Sequence, residues 1–135
     1  MLALTIDWAA VLVAAAVAMV VGALWYSPML FGKSWMNEVG KKKRDIMNRA
    51  IMKLSASFVT VFITAAVLDI FINALGVTTI VGGVIVGLIA WFGFRETRHW
   101  LAMVFETSTM RHFLINSGHD FVEFLIIGAI LGLLR

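Results

Sequence analysis

Five side chains that can carry protons, accept hydrogen bonds or ligate a cation recur in one short stretch of this chain: His112, Asn116, His119, Asp120 and Glu123. Steps of three and four residues place them on one narrow face of a helix. A carboxylate beside a histidine is an acid–base pair able to titrate near neutrality, and His119 with Glu123, four apart, can also grip one metal ion together. His99, Glu96 or His112 could complete such a site, but two ligands at helical spacing are a thin basis. The reading therefore assigns no metal, no cofactor and no catalytic residue. The stripe Asn116, His119, Asp120 and Glu123 equally suits a structural role, as a hydrogen-bond network that locks helices together.

The surroundings of this stripe make it unusual. Between Phe113 and Leu134 thirteen Leu, Ile, Phe and Val residues favour lipid by about 4 to 8 kcal/mol in sum, and each central carboxylate opposes this by about 2.5 to 3.5 kcal/mol. Sliding the span to begin at Phe124 leaves eleven residues before Arg135, about 17 Å of helix and far short of a bilayer. Glu123 must then lie well inside, on a face turned toward other helices, water or a proton. Asp69 and Asn73, four apart, are expected to form a smaller polar pair near the outer end of the second helix, and Glu96 with His99 another near the inner end of the third. Both pairs would contribute to a polar cavity running part of the way across the membrane.

The whole composition points to lipid as the solvent. Apolar residues make up 61% of the 135 and charged residues 14%, against about 45–50% and about a quarter in soluble domains. A water-soluble protein this small would expose large apolar patches. The net charge of +3 does not imply nucleic acid, because the basic residues cluster between apolar runs rather than along one face. There is no cysteine, so neither a disulfide framework nor a thiolate site exists. The segment 1–7 holds no Lys or Arg, unlike a secretory leader, so the first helix is expected to stay.

Runs of about 20 apolar residues divide the chain into four expected spans, about 6–26, 54–75, 78–98 and 113–134, forming one antiparallel all-α transmembrane bundle. Pro28 stops the first. Gly40 is expected to close an interfacial turn from Ser34 to Val39, and Asp45 to cap a long helix from Ile46. Gly76 ends that helix, and Thr78 or Thr79 caps the next. Beyond Phe94 either the third helix runs on to Phe105, which is the expectation favoured, or a separate interfacial helix covers 95–105.

Orientation follows from the basic residues. The loop 28–53 carries Lys33, Lys41, Lys42, Lys43, Arg44, Arg49 and Lys53, seven of the eleven Lys and Arg, and Arg95, Arg98 and Arg111 fall between the third and fourth spans. Such loops stay preferentially in the cytoplasm, giving an N-out, C-out topology in a cytoplasmic membrane. The Lys41, Lys42, Lys43, Arg44 run could also attract anionic lipid headgroups. Small residues spaced by four recur at Gly83 and Gly87, at Gly128 and Gly132, and along Ala10, Ala14, Ala18 and Gly22. One such face could serve a homo-oligomer, although packing within one chain uses the same pattern.

The run Gly22-Ala23-Leu24-Trp25-Tyr26-Ser27-Pro28-Met29-Leu30-Phe31-Gly32-Lys33-Ser34-Trp35 resembles the signature of a family of small bacterial membrane proteins known only as a domain of unknown function. Trp91-Phe92-Gly93-Phe94, Phe105-Glu106 and Leu114 to His119 are similar to it as well. The resemblance implies a four-helix protein of the bacterial inner membrane and brings no catalytic residue, substrate or cofactor. In that family the stretch after Gly93-Phe94 is mostly small and neutral, so a role for Arg95, Glu96 and Arg98 is expected to be particular to this chain. Physically, Trp25, Tyr26, Phe31 and Trp35 supply rings that prefer the interface, while Pro28 and Gly32 turn the chain there beside Lys33.

Two functions remain open on these residues. One is a membrane bundle whose polar pocket handles a proton, ion or small solute. The other is a structural or interaction subunit of a membrane assembly with no activity of its own. An enzyme ranks behind both, because no nucleophile and base stand at recognisable spacing and no phosphate-binding loop occurs.

Overall fold

Asp7 begins the first helix by accepting the Ala10 N–H (3.1 Å), and eighteen residues, mostly Ala, Val and Leu, follow as α1, Trp8–Trp25. In this computed structural model, which describes residues 4–135, the path is helical throughout, with no strand among the described residues. Residues 1–3, part of the segment 1–7 expected to stay with the first helix, lie outside the described residues, as does the side chain of Lys43. The chain leaves α1 through a tight reversal in which the Phe31 N–H meets the Trp25 carbonyl (3.0 Å) and the Gly32 N–H that of Ser27 (2.9 Å). Only glycine fits at 32, since a Cβ there would stand 2.3 Å from the Tyr26 carbonyl oxygen.

The interfacial helix α2, Gly32–Val39, ends at Gly40 in the left-handed region (φ 66°). The expected single helix from Ile46, capped by Asp45, is corrected. A short α3, Lys43–Met47, comes first, with Asp45 in its first turn accepting the Lys42 N–H (3.0 Å). Arg49 then adopts φ 54° and α4, Ala50–Ala74, begins beyond it. The break persists because Lys53 reaches back to the orphan carbonyls of Asp45 (2.7 Å) and Ile46 (3.2 Å). At the far end, Gly76 (φ 65°) and Val77 donate to the Asn73 and Ile72 carbonyls, a Schellman closure.

Thr79 caps α5, Ile80–Ala90, by accepting the Gly82 N–H (3.1 Å). Thr79→Ala should cost about 1 kcal/mol of stability, the usual worth of such a cap, measured by thermal unfolding in detergent. The helix does not stop at the charged segment. A π turn, Trp91–Glu96, joins α5 to α6, Thr97–Glu106, in one 27-residue path. Thr109 caps the last helix, α7, Met110–Leu133.

Four of these helical paths are long and apolar enough to cross a membrane, the architecture of a multi-pass membrane protein. Their outward faces agree with that medium: Val20, Val81, Ile85 and Ile89 are all at least half exposed. Inside, α7 is the hub, packed by α1, α4 and α5. Val11, Leu68, Ile72, Ile127 and Leu131 fill the half of the bundle that holds the termini. Against α5, α7 approaches backbone to backbone, Gly128 and Gly132 meeting Gly83 and Gly87. Both small-residue faces of those helices are thus spent inside the chain.

At the terminal end, Asp69 is fully buried. It accepts the Asp7 N–H (2.8 Å) and the Arg135 guanidinium (2.6 Å), while Asn73 donates to Thr5 O (3.1 Å). This cluster ties both termini to α4.

Candidate functional site

By rise along the helix Glu123 stands about 20 Å from the start of α7, near the middle of its 24 residues. The turns before it open on a cavity of about 440 Å³ in the half of the bundle away from the termini. Five elements meet there. Tyr26 comes from the end of α1, Ser57 and Thr60 from the first turns of α4, Arg95 from the π turn and His99 from α6. Asn116, His119, Asp120 and Glu123 come from α7. A π turn inserts one residue into the helical register, and here it delivers Arg95 to the interior instead of leaving it among the surface charges.

Asp120 is the most fully engaged group. Its Oδ2 accepts Arg95 Nε (2.9 Å) and Nη2 (2.8 Å) and lies 2.6 Å from His99 Nε2, while its Oδ1 lies 3.1 Å from His119 Nδ1. The carboxylate is 6% exposed, the guanidinium 42%. One buried charge is therefore matched by one cation and two imidazoles.

Glu123 is different. It is 5% exposed and makes no hydrogen bond among the described residues; the nearest basic group is His119 Nδ1, 3.7 Å from Oε2. With Arg95 committed to Asp120, an ionised Glu123 would leave a net negative charge in the bilayer, at a cost of several kcal/mol. Neutrality requires a proton on Glu123, a proton on His119 or a cation between them.

The rings of the interfacial motif fix His119. Tyr26 lies 5.1 Å and Trp25 6.2 Å from it, centroid to centroid. The Tyr26 hydroxyl donates to Asn116 Oδ1 (2.8 Å) and Trp25 Nε1 to the Ile115 carbonyl (3.0 Å). On its far side His119 Nε2 would stand 3.1 Å from a Cβ at Gly22, so a small residue there admits the ring. Trp35 stacks edge-on against Tyr26 at 5.6 Å.

The structure thus brings together Asn116, His119, Asp120 and Glu123 with one of their expected neighbours, His99. It separates the others. Glu96 accepts from the Ser117 hydroxyl and does not line the cavity. His112 lies one turn before Asn116, also outside it, and Asp69 and Asn73 stand at the opposite end of the bundle. Among the motif residues Tyr26 alone lines the cavity; Trp25, Phe31, Gly32 and Trp35 build the adjoining turn, where Pro28 and Lys33 also lie.

Sequence reasoning missed Arg95 as a member of the site, counting it as a topology charge and as a departure from the family pattern with no partner assigned. The signal was present in an electrostatic form: a carboxylate held inside a bundle needs a cation, and Arg95 directly follows an apolar run. Ser57 and Thr60 gave no signal beyond their polarity.

His119, Asp120 and Glu123 can bring one ligand atom each within 4.8 Å of one another. The Arg95 guanidinium on Asp120 opposes a divalent ion at that carboxylate, which leaves Glu123, beside His119, as the carboxylate free to act.

The family model described as "Protein of unknown function (DUF1761)" matches residues 9–132 of the chain. No curated protein and no solved structure matches it.

Proposed function

The chain belongs to this family of unknown function, and from its site we propose that it is a small bundle of the bacterial inner membrane that handles a proton, or a small cation in its place, at Glu123. The carrying observation is the state of that carboxylate, which is buried near the middle of α7, makes no hydrogen bond among the described residues and faces a polar cavity. His119, 3.7 Å away, is the group that exchanges the proton with it. The basic loop favours N-out, C-out insertion, with the cavity open toward the cytoplasm. Beyond Glu123 the apolar plug of Val11, Leu68, Ile72, Ile127 and Leu131 bars water from the other half. The arrangement is a half-channel that ends on a titratable acid, as a proton- or ion-coupled carrier of a small solute requires.

Asp120 has the structural share of the stripe. Its three partners come from the π turn, α6 and α7, so it holds Arg95, His99 and His119 in place around Glu123.

Infrared difference spectra across a pH jump test this reading in the reconstituted protein. A protonated carboxyl band should appear and vanish with pH, and Glu123→Gln should abolish it while the protein stays folded. A band unchanged in Glu123→Gln, or no titrating carboxyl at all, would show that Glu123 does not exchange protons.

A further inference from the structure

Outside the polar cavity, the same end of the bundle carries a groove of about 680 Å³ lined by Trp25, Phe31, Ser34, Arg111, Leu114 and Ile115. Its walls are held by contacts that do not involve an occupant. Trp25 donates to the Ile115 carbonyl (3.0 Å) and packs on Phe31 at 4.6 Å, while Glu38 accepts the Thr109 hydroxyl and so ties α2 to the start of α7.

The groove is graded along the length of α7. Arg111, the second residue of α7, and Ser34 of α2 mark its polar end, and with four helices spanning a bilayer that end falls where they leave it. Leu114 and Ile115 follow one turn deeper, beside Trp25 and Phe31. Arg111 is exposed and makes no ion pair among the described residues. The N-terminus of α7 adds partial positive charge beside it.

An occupant must then carry a negative charge at the interface and hydrocarbon below it. We propose that this groove binds one anionic glycerophospholipid, its phosphate on Arg111 and an acyl chain along Phe31, Leu114 and Ile115. The exposed basic side chains Lys41, Lys42 and Arg44 attract anionic lipid only diffusely, with no walls around them. The contribution of Lys43 lies outside the described residues. Lipid selection therefore rests on Arg111, and the loop only raises the local concentration. This inference is independent of what Glu123 does.

Native mass spectrometry of the full chain, delipidated and then offered equimolar phosphatidylglycerol and phosphatidylcholine, tests it. The expected result is a one-lipid adduct favouring phosphatidylglycerol about fivefold, the preference one surface charge supplies. Arg111→Gln should bring the two lipids to parity. Leu114→Trp, at an exposed position that folding tolerates, should block the adduct by filling the groove while keeping the charge. Replacing Lys41, Lys42 and Arg44 together by Gln should leave the one-lipid preference in place. Equal retention of both lipids by the native chain, or an unchanged preference in Arg111→Gln and Leu114→Trp, would overturn the proposal. Displacement of the adduct by inorganic phosphate alone would overturn it in favour of a free-anion site.

Discussion

Gly128→Val should force α5 and α7 apart and destabilise the bundle by about 3 kcal/mol, the upper end of the usual cost of overpacking. A Cβ at 128 would stand 2.3 Å from the Gly83 carbonyl oxygen, and one at 83 only 2.0 Å from that of Gly128. Both obstacles are backbone, so no side chain can swing aside; relief requires moving a whole helix. Unfolding in mixed micelles, followed by helix content, would read the loss. The control is Gly93→Ala, where a Cβ meets nothing within 4 Å, and stability should change by no more than about 1 kcal/mol. Equal effects at the two positions would mean that the close α5–α7 approach is not what holds these helices.

The second large effect belongs to Arg95→Met, which leaves the Asp120 carboxylate buried with imidazoles alone. Breaking a fully buried pair costs about 3–5 kcal/mol. Because the guanidinium is itself 42% exposed, solvent already screens part of the pair, and about 2 kcal/mol is expected. The sign of the double variant separates pairing from packing. Arg95→Met with Asp120→Leu should be more stable than Arg95→Met alone, since no unpaired charge remains. Simple additivity would show that the two groups do not depend on each other.

The limits of what could be read beforehand have physical causes. Uninterrupted apolar runs make the four long helices plain, because bilayer thickness alone demands them, and Gly40, Gly76 and Thr79 mark ends through local backbone rules. The break at Arg49 was hidden, since it depends on Lys53 bonding back to carbonyls seven and eight residues earlier, which no propensity encodes. Helical periodicity shows that Asn116, His119, Asp120 and Glu123 share a face. It does not show what that face meets, and partners from Tyr26, Arg95 and His99 arise only when helices pack. Arg95 reads as a charge that sorts loops across the membrane, yet it ends on buried Asp120, and Arg135 likewise ends on buried Asp69. Asp69 and Asn73 were legible as a polar pair near one end of their helix, but their closure on Asp7, Arg135 and Thr5 arises only when the termini pack.

Proton exchange at Glu123 depends most on water reaching the polar cavity from one side, and neighbouring residues of α4 provide the sharpest comparison. Thr60 lines the cavity, whereas Val59, 55% exposed, does not; in a bilayer it faces lipid at the same depth. Since the chain has no cysteine, Thr60→Cys and Val59→Cys each carry a single thiol, which reacts only where water allows the thiolate to form. A membrane-impermeant maleimide should label Thr60→Cys in inverted inner-membrane vesicles, spare it in right-side-out vesicles, and leave Val59→Cys unlabelled in both. Equal labelling of the two positions, or labelling of Thr60→Cys from the outer face alone, would contradict a water-filled cavity open to the cytoplasm.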